Sequence, residues 1–375
     1  MSLILLIKNK KCVNLFLQFM KPSIIFLFPY PLNEAPSQRF RFVQYLDILK
    51  KEGYYFETHA YLSDNAWNIL YQPGHFFSKF LRIVRGYFNR LLLLPKIKKF
   101  DYVFIHREAA PLGPPIIEFL IAKMLGKKII YDFDDAIWLP NYSESNKFFS
   151  FIKWYSNSKV LCKWAYKVSC GNEYLCNFAR QFNANVVYNP TTIDTENYHN
   201  IVSNQEKKKF VIGWTGSHST TRYLHEIVEV LKRLEQKYDF ELQVIADIPP
   251  VLELKSFKFI KWRKEEEISD LLNFNIGIMP LKDDQWASGK CGFKALQYMA
   301  LGIPALVSPV GVNTKIVDHG INGFICQTPE DWETCIEKLL KDHQLLVTMA
   351  QQTRKKIIEN YSVKSNTVNF LSLFS

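Results

Sequence analysis

Gly289-Lys290-Cys291-Gly292-Phe293-Lys294-Ala295-Leu296-Gln297-Tyr298-Met299-Ala300-Leu301-Gly302-Ile303-Pro304 reads as a glycine-containing loop, then a helix begun by Phe293 or Lys294. Gly302 stops the helix, and a strand follows from Ala305 to Ser308. A helix N-terminus leaves backbone N–H groups unpaired and carries partial positive charge, so it can hold an anion. Gly289 and Gly292 let the backbone approach a ligand closely, and Lys290 and Lys294 add full charges where a phosphate would sit. An ordinary helix of an α/β domain with solvated lysines would show the same pattern. The surrounding sequence has to decide between the two.

Upstream, Phe274–Leu281 is a short apolar strand ended by Pro280. Downstream, Ser308–Asn313 and His319–Phe324 are turn-rich loops flanking a short helix. Further back, strand Phe210–Trp214 runs through Thr215-Gly216-Ser217-His218-Ser219 into a helix from about Thr220 to Lys237, with Thr220 or Thr221 as candidate caps. Backbone amides near Gly216 and Ser217, together with the Arg222 guanidinium, can bind a second phosphate. After strand Glu241–Ala246 comes Phe259-Ile260-Lys261-Trp262.

The first half of the chain follows the same alternation. Strand Ser23–Phe28 leads to an amphipathic helix from about Gln38 to Lys51, with Phe42, Tyr45, Leu46 and Leu49 at helical spacing. Arg39 and Arg41 in its first turn oppose the helix dipole, which suggests that they answer an anion; solvated surface arginines are the alternative. Strands Tyr102–Ile105, Lys128–Tyr131, Lys167–Cys170 and Asn185–Tyr188 follow, with helices Pro115–Leu125 and about Asn146–Ala165 between them. Such alternation implies parallel sheets whose ligand loops lie at the carboxyl ends of the strands.

Two groups at those strand ends carry candidate chemistry. Asp132-Phe133-Asp134-Asp135 puts three carboxylates into four residues, an arrangement that like-charge repulsion disfavours. It reads as an acid group facing an acceptor, with a D-x-D metal site and a helix cap as the alternatives. Ile105-His106-Arg107-Glu108 ends the preceding strand, and His106 can orient an acceptor or simply satisfy a strand end.

Composition narrows the class. At 375 residues the chain is long enough for two separate cores, and a net charge of +11 suits anionic partners. Nucleic acid is not among them, since no zinc-finger, RRM or KH signature occurs. Seven cysteines, an odd number with no C-x-x-C pair, point to reduced thiols and a cytoplasmic setting. Residues 1–19 read as an N-terminal extension too short for a membrane span, with a short anchor as the minor alternative. From Ala66 to Phe100 there is no Asp or Glu, while Lys79, Arg82, Arg85, Arg90, Lys96, Lys98 and Lys99 all occur. If residues 76–92 are helical, Lys79, Arg82, Arg85 and Arg90 share one arc, and Phe76, Phe77, Phe80, Leu81, Ile83, Val84, Tyr87, Phe88 and Leu91 fill the other. This pattern fits an interfacial helix on an anionic membrane surface (residues 76–99), or a core-facing helix with a solvated basic face.

The order of motifs resembles retaining glycosyltransferases of family 4, which have the GT-B fold. The residues that carry the resemblance are Gly292, Met299-Ala300, Gly302-Ile303-Pro304 and Gly320 with Gly323; Lys290-Cys291-Gly292-Phe293-Lys294 with Gln297-Tyr298-Met299-Ala300 looks like a subgroup that builds bacterial surface polysaccharides. The resemblance implies two Rossmann-like, doubly wound α/β domains facing a cleft. These would span residues 20–199, on the acceptor side, and 200–353, on the donor side, with a helix from 354–375 crossing back to the first.

It further implies a metal-independent, cofactor-free hexosyltransferase that moves sugar from a nucleotide-sugar to a glycan or lipid-linked acceptor, in the cytoplasm or on the inner face of the cell membrane. Donor contacts would come from Gly216, Ser217, Arg222, Trp262, Lys290, Gly292, Phe293, Lys294 and Gln297. Asp132, Asp134 and His106 would serve catalysis, and Arg39, Arg41, Arg107 and Asp135 the acceptor. One departure stands out. The family usually has two glutamates eight positions apart where this chain has Gly289 and Gln297. A nucleotide-sugar 2-epimerase and a non-catalytic binding module are the alternative functions of this fold.

Overall fold

The computed structural model describes residues 21–70, 74, 76–140 and 154–375. The extension at 1–19 and the first part of the helix expected from Asn146 lie outside them. Among the described residues the chain forms two compact units, one of 21–132, 154–169 and 371–375, the other of 133–140 and 170–370.

Two six-stranded sheets organise the chain. The first comprises β1 (Ile24–Phe28), β2 (Phe56–Ala60), β3 (Tyr102–His106), β4 (Lys128–Phe133), β5 (Lys167–Cys170) and β6 (Val186–Tyr188), in the order β2-β1-β3-β4-β5-β6. The second comprises β7 (Phe210–Thr215), β8 (Phe240–Ala246), β9 (Phe257–Lys261), β10 (Ile276–Met279), β11 (Ala305–Val307) and β12 (Gly323–Ile325), in the order β12-β11-β10-β7-β8-β9. Pairing is parallel in both, with Ile24 opposite Phe56 and Tyr102, and Ile212 opposite Leu242 and Ile276. Strand order reverses between β1 and β3 and again between β7 and β10. In sheets of this kind ligands bind outside the carboxyl ends of the strands at such a reversal. β1 is buried along its whole length, which accounts for its unbroken apolar run, Ile-Ile-Phe-Leu-Phe.

Tertiary packing reshaped several expected elements. The helix expected over Gln38–Lys51 is instead helix Pro36–Arg41, a 3₁₀ turn at Val43–Tyr45 and helix Leu46–Lys51. Its break is at Phe42 (φ −132°), whose buried ring stacks on Phe26 at 5.4 Å. The helix expected from Thr220 is likewise divided into His218–Thr221, a 3₁₀ turn at Arg222–Glu226 and Val228–Leu234, and its N-cap is Ser217, not Thr220 or Thr221. β2 went unread because its Phe-Glu-Thr-His-Ala sequence is polar and half-exposed at a sheet edge. β12 forms where turns alone were expected. Helix Pro329–Lys341 was not assigned either, although its capping box of Thr328 and Asp331 is a local signal.

The chain ends on the first unit. Helix Val363–Leu371 leads to Leu371–Ser375, and there Phe374 packs against Phe26, Tyr54, Tyr102 and Phe104.

Candidate active site

At the switch point of the second sheet, helix Phe293–Ala300 begins on Gly292 in the left-handed conformation (φ +69°), with no side chain capping it. The left-handed backbone strains any other residue there, and a Cβ at Gly292 would also push Ile316 Cδ1 aside from 2.2 Å. The Tyr298 hydroxyl accepts a 2.9 Å hydrogen bond from Thr215 N–H and ties this helix to the end of β7. Gly277 permits that packing, since a Cβ there would meet the Tyr298 ring at 2.2 Å. One turn before Tyr298, the Lys294 ammonium lies 5.3 Å from the Trp214 ring centroid, and Lys290 lies 5.9 Å from that of Trp286.

The electrostatics of this corner are unbalanced. Burial pushes the Lys294 amine down to about 7; neighbouring Lys290 adds to the effect and Asp135 opposes it. An anion placed against both lysines would relieve their repulsion and complement the helix N-terminus. Gln297, one turn further along, is buried with its amide nitrogen unpartnered. A buried unpaired donor is costly, and a ligand acceptor would satisfy it.

Gly289 has a steric reason. A Cβ there would lie 2.6 Å from Ala136 Cβ and 2.8 Å from Ala136 N, so a glutamate cannot enter without backbone movement. The same strip is tied down by the Cys291 thiol on the Asp134 carbonyl (3.1 Å) and by Asn172 Nδ2 on the Ser288 and Lys290 carbonyls (3.1 and 2.9 Å). Sequence reading assigned no role to Asn172, Trp214 or Tyr298. For Trp214 the available signal was an aromatic residue next to the end of a strand, two positions before Gly216.

The other expected donor residues are spread along the same sheet. Gly216 is confined by Trp214 and Thr220, which a Cβ would meet at 2.5 and 2.8 Å, and the Ser217 hydroxyl lies 2.8 Å from that of Ser219. Trp262 extends the edge strand, its N–H donating to Ala246 O. Arg222 is exposed and lines a groove of about 560 Å³ with His225, Lys232 and Pro250; neither Lys290 nor Lys294 lines that groove.

In the first unit three expected ligand contacts prove to be internal. Asp132 is wholly buried and accepts hydrogen bonds from Arg41 and from Ser169 Oγ (2.6 Å), while His106 Nδ1 lies 2.8 Å from its other oxygen. Burial alone would raise the Asp132 pKa, but Arg41 and His106 hold it far below the usual carboxylate range. His106 is buried too, with Nε2 3.3 Å from Ser37 Oγ. Arg41 thus answers Asp132 and not a ligand, and neither Asp132 nor His106 is open to substrate. With its oxygens engaged, Asp132 has no lone pairs directed at a D-x-D metal.

Among the expected acid groups, Asp134 and Asp135 are the half-buried ones, and Asp135 acts electrostatically on Lys294. Arg39 is half-buried beside Phe40. Arg107 has φ +60°, an uncommon conformation for a residue other than glycine, pinned by its N–H on Asp132 O at 2.7 Å.

Comparison with known proteins agrees with this architecture. Residues 209–342 match the family model described as Glycosyl transferases group 1. Over 166 residues, 42% of this chain, the sequence is 22% identical to N-acetyl-alpha-D-glucosaminyl L-malate synthase of Bacillus anthracis, and the match spans only 42% of that protein's length. Sucrose-phosphate synthase from Thermosynechococcus elongatus superposes with a TM-score of 0.67 at 12% identity, covering 94% of this chain and 98% of that one. A glycosyltransferase from Rickettsia africae ESF-5 gives 0.62 at 15% identity, covering 94% and 98%. HepE of Anabaena in complex with UDP and glucose gives 0.62 at 13% identity, covering 94% and 99%. At these identities the structural likeness concerns the fold. The chain has the GT-B fold of two Rossmann-like domains, and its second half carries a glycosyltransferase group 1 domain.

Proposed function

We propose that this protein transfers a sugar, with retention and without a metal ion, from a nucleotide-sugar to a glycan or lipid-linked acceptor during surface polysaccharide synthesis at the cytoplasmic face of the cell membrane. One observation carries the reading: the Lys294 amine, pushed down by burial and by neighbouring Lys290, sits in the first turn of helix Phe293–Ala300, which begins on left-handed Gly292 with no side chain capping it. A leaving diphosphate would supply the missing negative charge. The group 1 match over 209–342 supports a nucleotide-sugar donor, and the UDP and glucose held by the Anabaena protein make UDP the first probe.

In this scheme the lysines and the helix N-terminus stabilise the charge that develops on the diphosphate as the glycosidic bond breaks. The diphosphate helps to take the proton of the incoming hydroxyl, and the protein otherwise contributes positioning. The Gly216–Ser217 loop approaches the phosphates, the Gln297 amide donates to the ribose and Trp262 borders the base. Asp134 serves the incoming hydroxyl, and Arg39, Arg107 and Asp135 serve the acceptor.

The test is UDP release from UDP-sugars with and without a lipid-linked glycan acceptor, repeated in EDTA. Acceptor-dependent release that survives EDTA is expected. Release without acceptor would favour the epimerase reading, and activity lost in EDTA but restored by Mn²⁺ would overturn metal independence.

A further inference from the structure

Helix Phe76–Ile97 presents an apolar ridge that no described residue covers. Its rotation about its own axis is fixed from the inner side. Buried Arg90 donates to the carbonyls of Ala109 (2.9 Å), Phe28 (3.1 Å) and His59 (2.9 Å), and so joins the helix to the ends of β1 and β2. Gly86 lies directly against Tyr61, where a Cβ would be 2.5 Å from the ring, and the Tyr61 hydroxyl donates to Ile83 O at 2.6 Å. Arg90 therefore leaves the basic arc expected from sequence and becomes an internal anchor. The apolar arc divides as well: Ile83 and Tyr87 are half-buried, whereas Phe77, Phe80, Leu81, Val84, Phe88 and Leu92 are 75%, 61%, 49%, 47%, 59% and 64% exposed.

At about 100° per residue these six side chains fall within an arc of roughly 120°. Arg85 borders that arc and is exposed, and Lys98 and Lys99, just past the helix, are exposed too. Lys96 is partly neutralised by Glu57 at 2.6 Å. No acidic residue occurs between Ala66 and Phe100. A contiguous apolar patch of this kind on a folded surface marks an interaction site.

We infer that this ridge docks on an anionic lipid bilayer, with the phenyl and leucyl side chains entering the acyl boundary and Arg85, Lys98 and Lys99 meeting lipid phosphates. Charge complementarity selects this occupant. Two copies meeting ridge to ridge would oppose like charges, whereas an anionic surface neutralises the bases while the ridge leaves water. Among the described residues no helix is long and apolar enough to cross a membrane, so the helix lies on the bilayer and does not span it. The inference does not depend on sugar transfer, because the measurement contains no donor.

The experiment is co-sedimentation with phosphatidylcholine vesicles containing or lacking phosphatidylglycerol, at low and high salt, alongside sedimentation velocity without lipid. Wild type should pellet with anionic vesicles at low salt and stay in solution with zwitterionic ones. Leu81→Gln with Phe88→Gln should weaken binding at least tenfold, as should Arg85→Glu. Val251→Gln, an exposed apolar residue (86%) on the other unit, should change nothing. All of these side chains are exposed, so folding should survive, which circular dichroism checks. Wild type left in the supernatant at low salt overturns the inference. So does pelleting that the ridge substitutions leave unchanged, and so does a wild-type dimer that those substitutions split without altering vesicle binding.

Discussion

The Lys294 ammonium lies 5.3 Å from the centroid of the Trp214 indole, at the first turn of a helix that begins on a glycine. An aromatic face holds a cation without an ion pair, so the protonated amine has no carboxylate to give up when a ligand binds.

That arrangement predicts a proton uptake. In the free protein the Lys294 amine is pushed down to about 7, and a bound diphosphate favours its charged form. Below that pH the group is already charged and donor affinity is at its plateau. Above it each binding event takes up a proton, and affinity falls by up to tenfold per pH unit. Titration calorimetry of UDP at pH 8, in buffers of different ionisation enthalpy, measures the proton. Buffer-independent heats would remove Lys294 from the diphosphate.

For stability the sign follows from the same lowered value. Between about 7 and the unfolded value the unfolded chain holds more protons, so the ligand-free protein should gain stability as pH rises. Lys294→Met should raise the ligand-free Tm at pH 7 and flatten that rise. An unchanged profile would show that the ammonium is better solvated than its burial implies.

Removal of Lys290 or Lys294 should cost transfer about 1.5–3 kcal/mol, roughly a ten- to hundredfold loss in kcat/KM. Arg222→Ala, whose side chain is exposed in a groove with His225 and Lys232, should change kcat/KM by less than about threefold. Steady-state kinetics of the three alanine variants separates them, and an Arg222 effect as large as that of the lysines would place it on the diphosphate with them.

Asp132→Asn should behave as a stability mutation. It leaves the Arg41 guanidinium buried without a counter-charge, a loss of about 3–5 kcal/mol in denaturant unfolding. Because the Asp132 carboxyl is held far below its ordinary range, its contribution is fully present above the unfolded pKa of about 3.9 and is lost as pH falls below it. The variant should therefore lose less stability than wild type on acidification. Asp134→Asn should fold normally and impair transfer to the acceptor more than UDP binding; equal loss of both would put the group on the donor.

Gly289→Glu, which restores the carboxylate usual in the resembling family, should not restore function. Its Cβ would meet Ala136 at 2.6 Å, and the strain should cost about 1–3 kcal/mol. Thermal unfolding measures the loss, and a fully stable variant with raised activity would show that the strip yields.

The sequence alone determined the alternation of strands and helices, two domains' worth of them, and the helix start at Gly292-Phe293-Lys294. These features rest on local rules. A buried parallel strand must be apolar along its length, a helix must repeat every 3.6 residues, and glycine is needed where backbone turns left-handed. Tertiary structure decided which charges face inward. Arg85 and Arg90 are the same residue five positions apart, yet the carbonyls of Phe28, His59 and Ala109 hold one inside and leave the other exposed. Arg41 finds Asp132 across 91 residues because β3 and β4 pair in a register that sets His106 beside Asp132. Ala136 likewise reaches Gly289 only in the folded chain. Such pairings depend on sheet register and on the direction each strand end takes, and no local pattern encodes either.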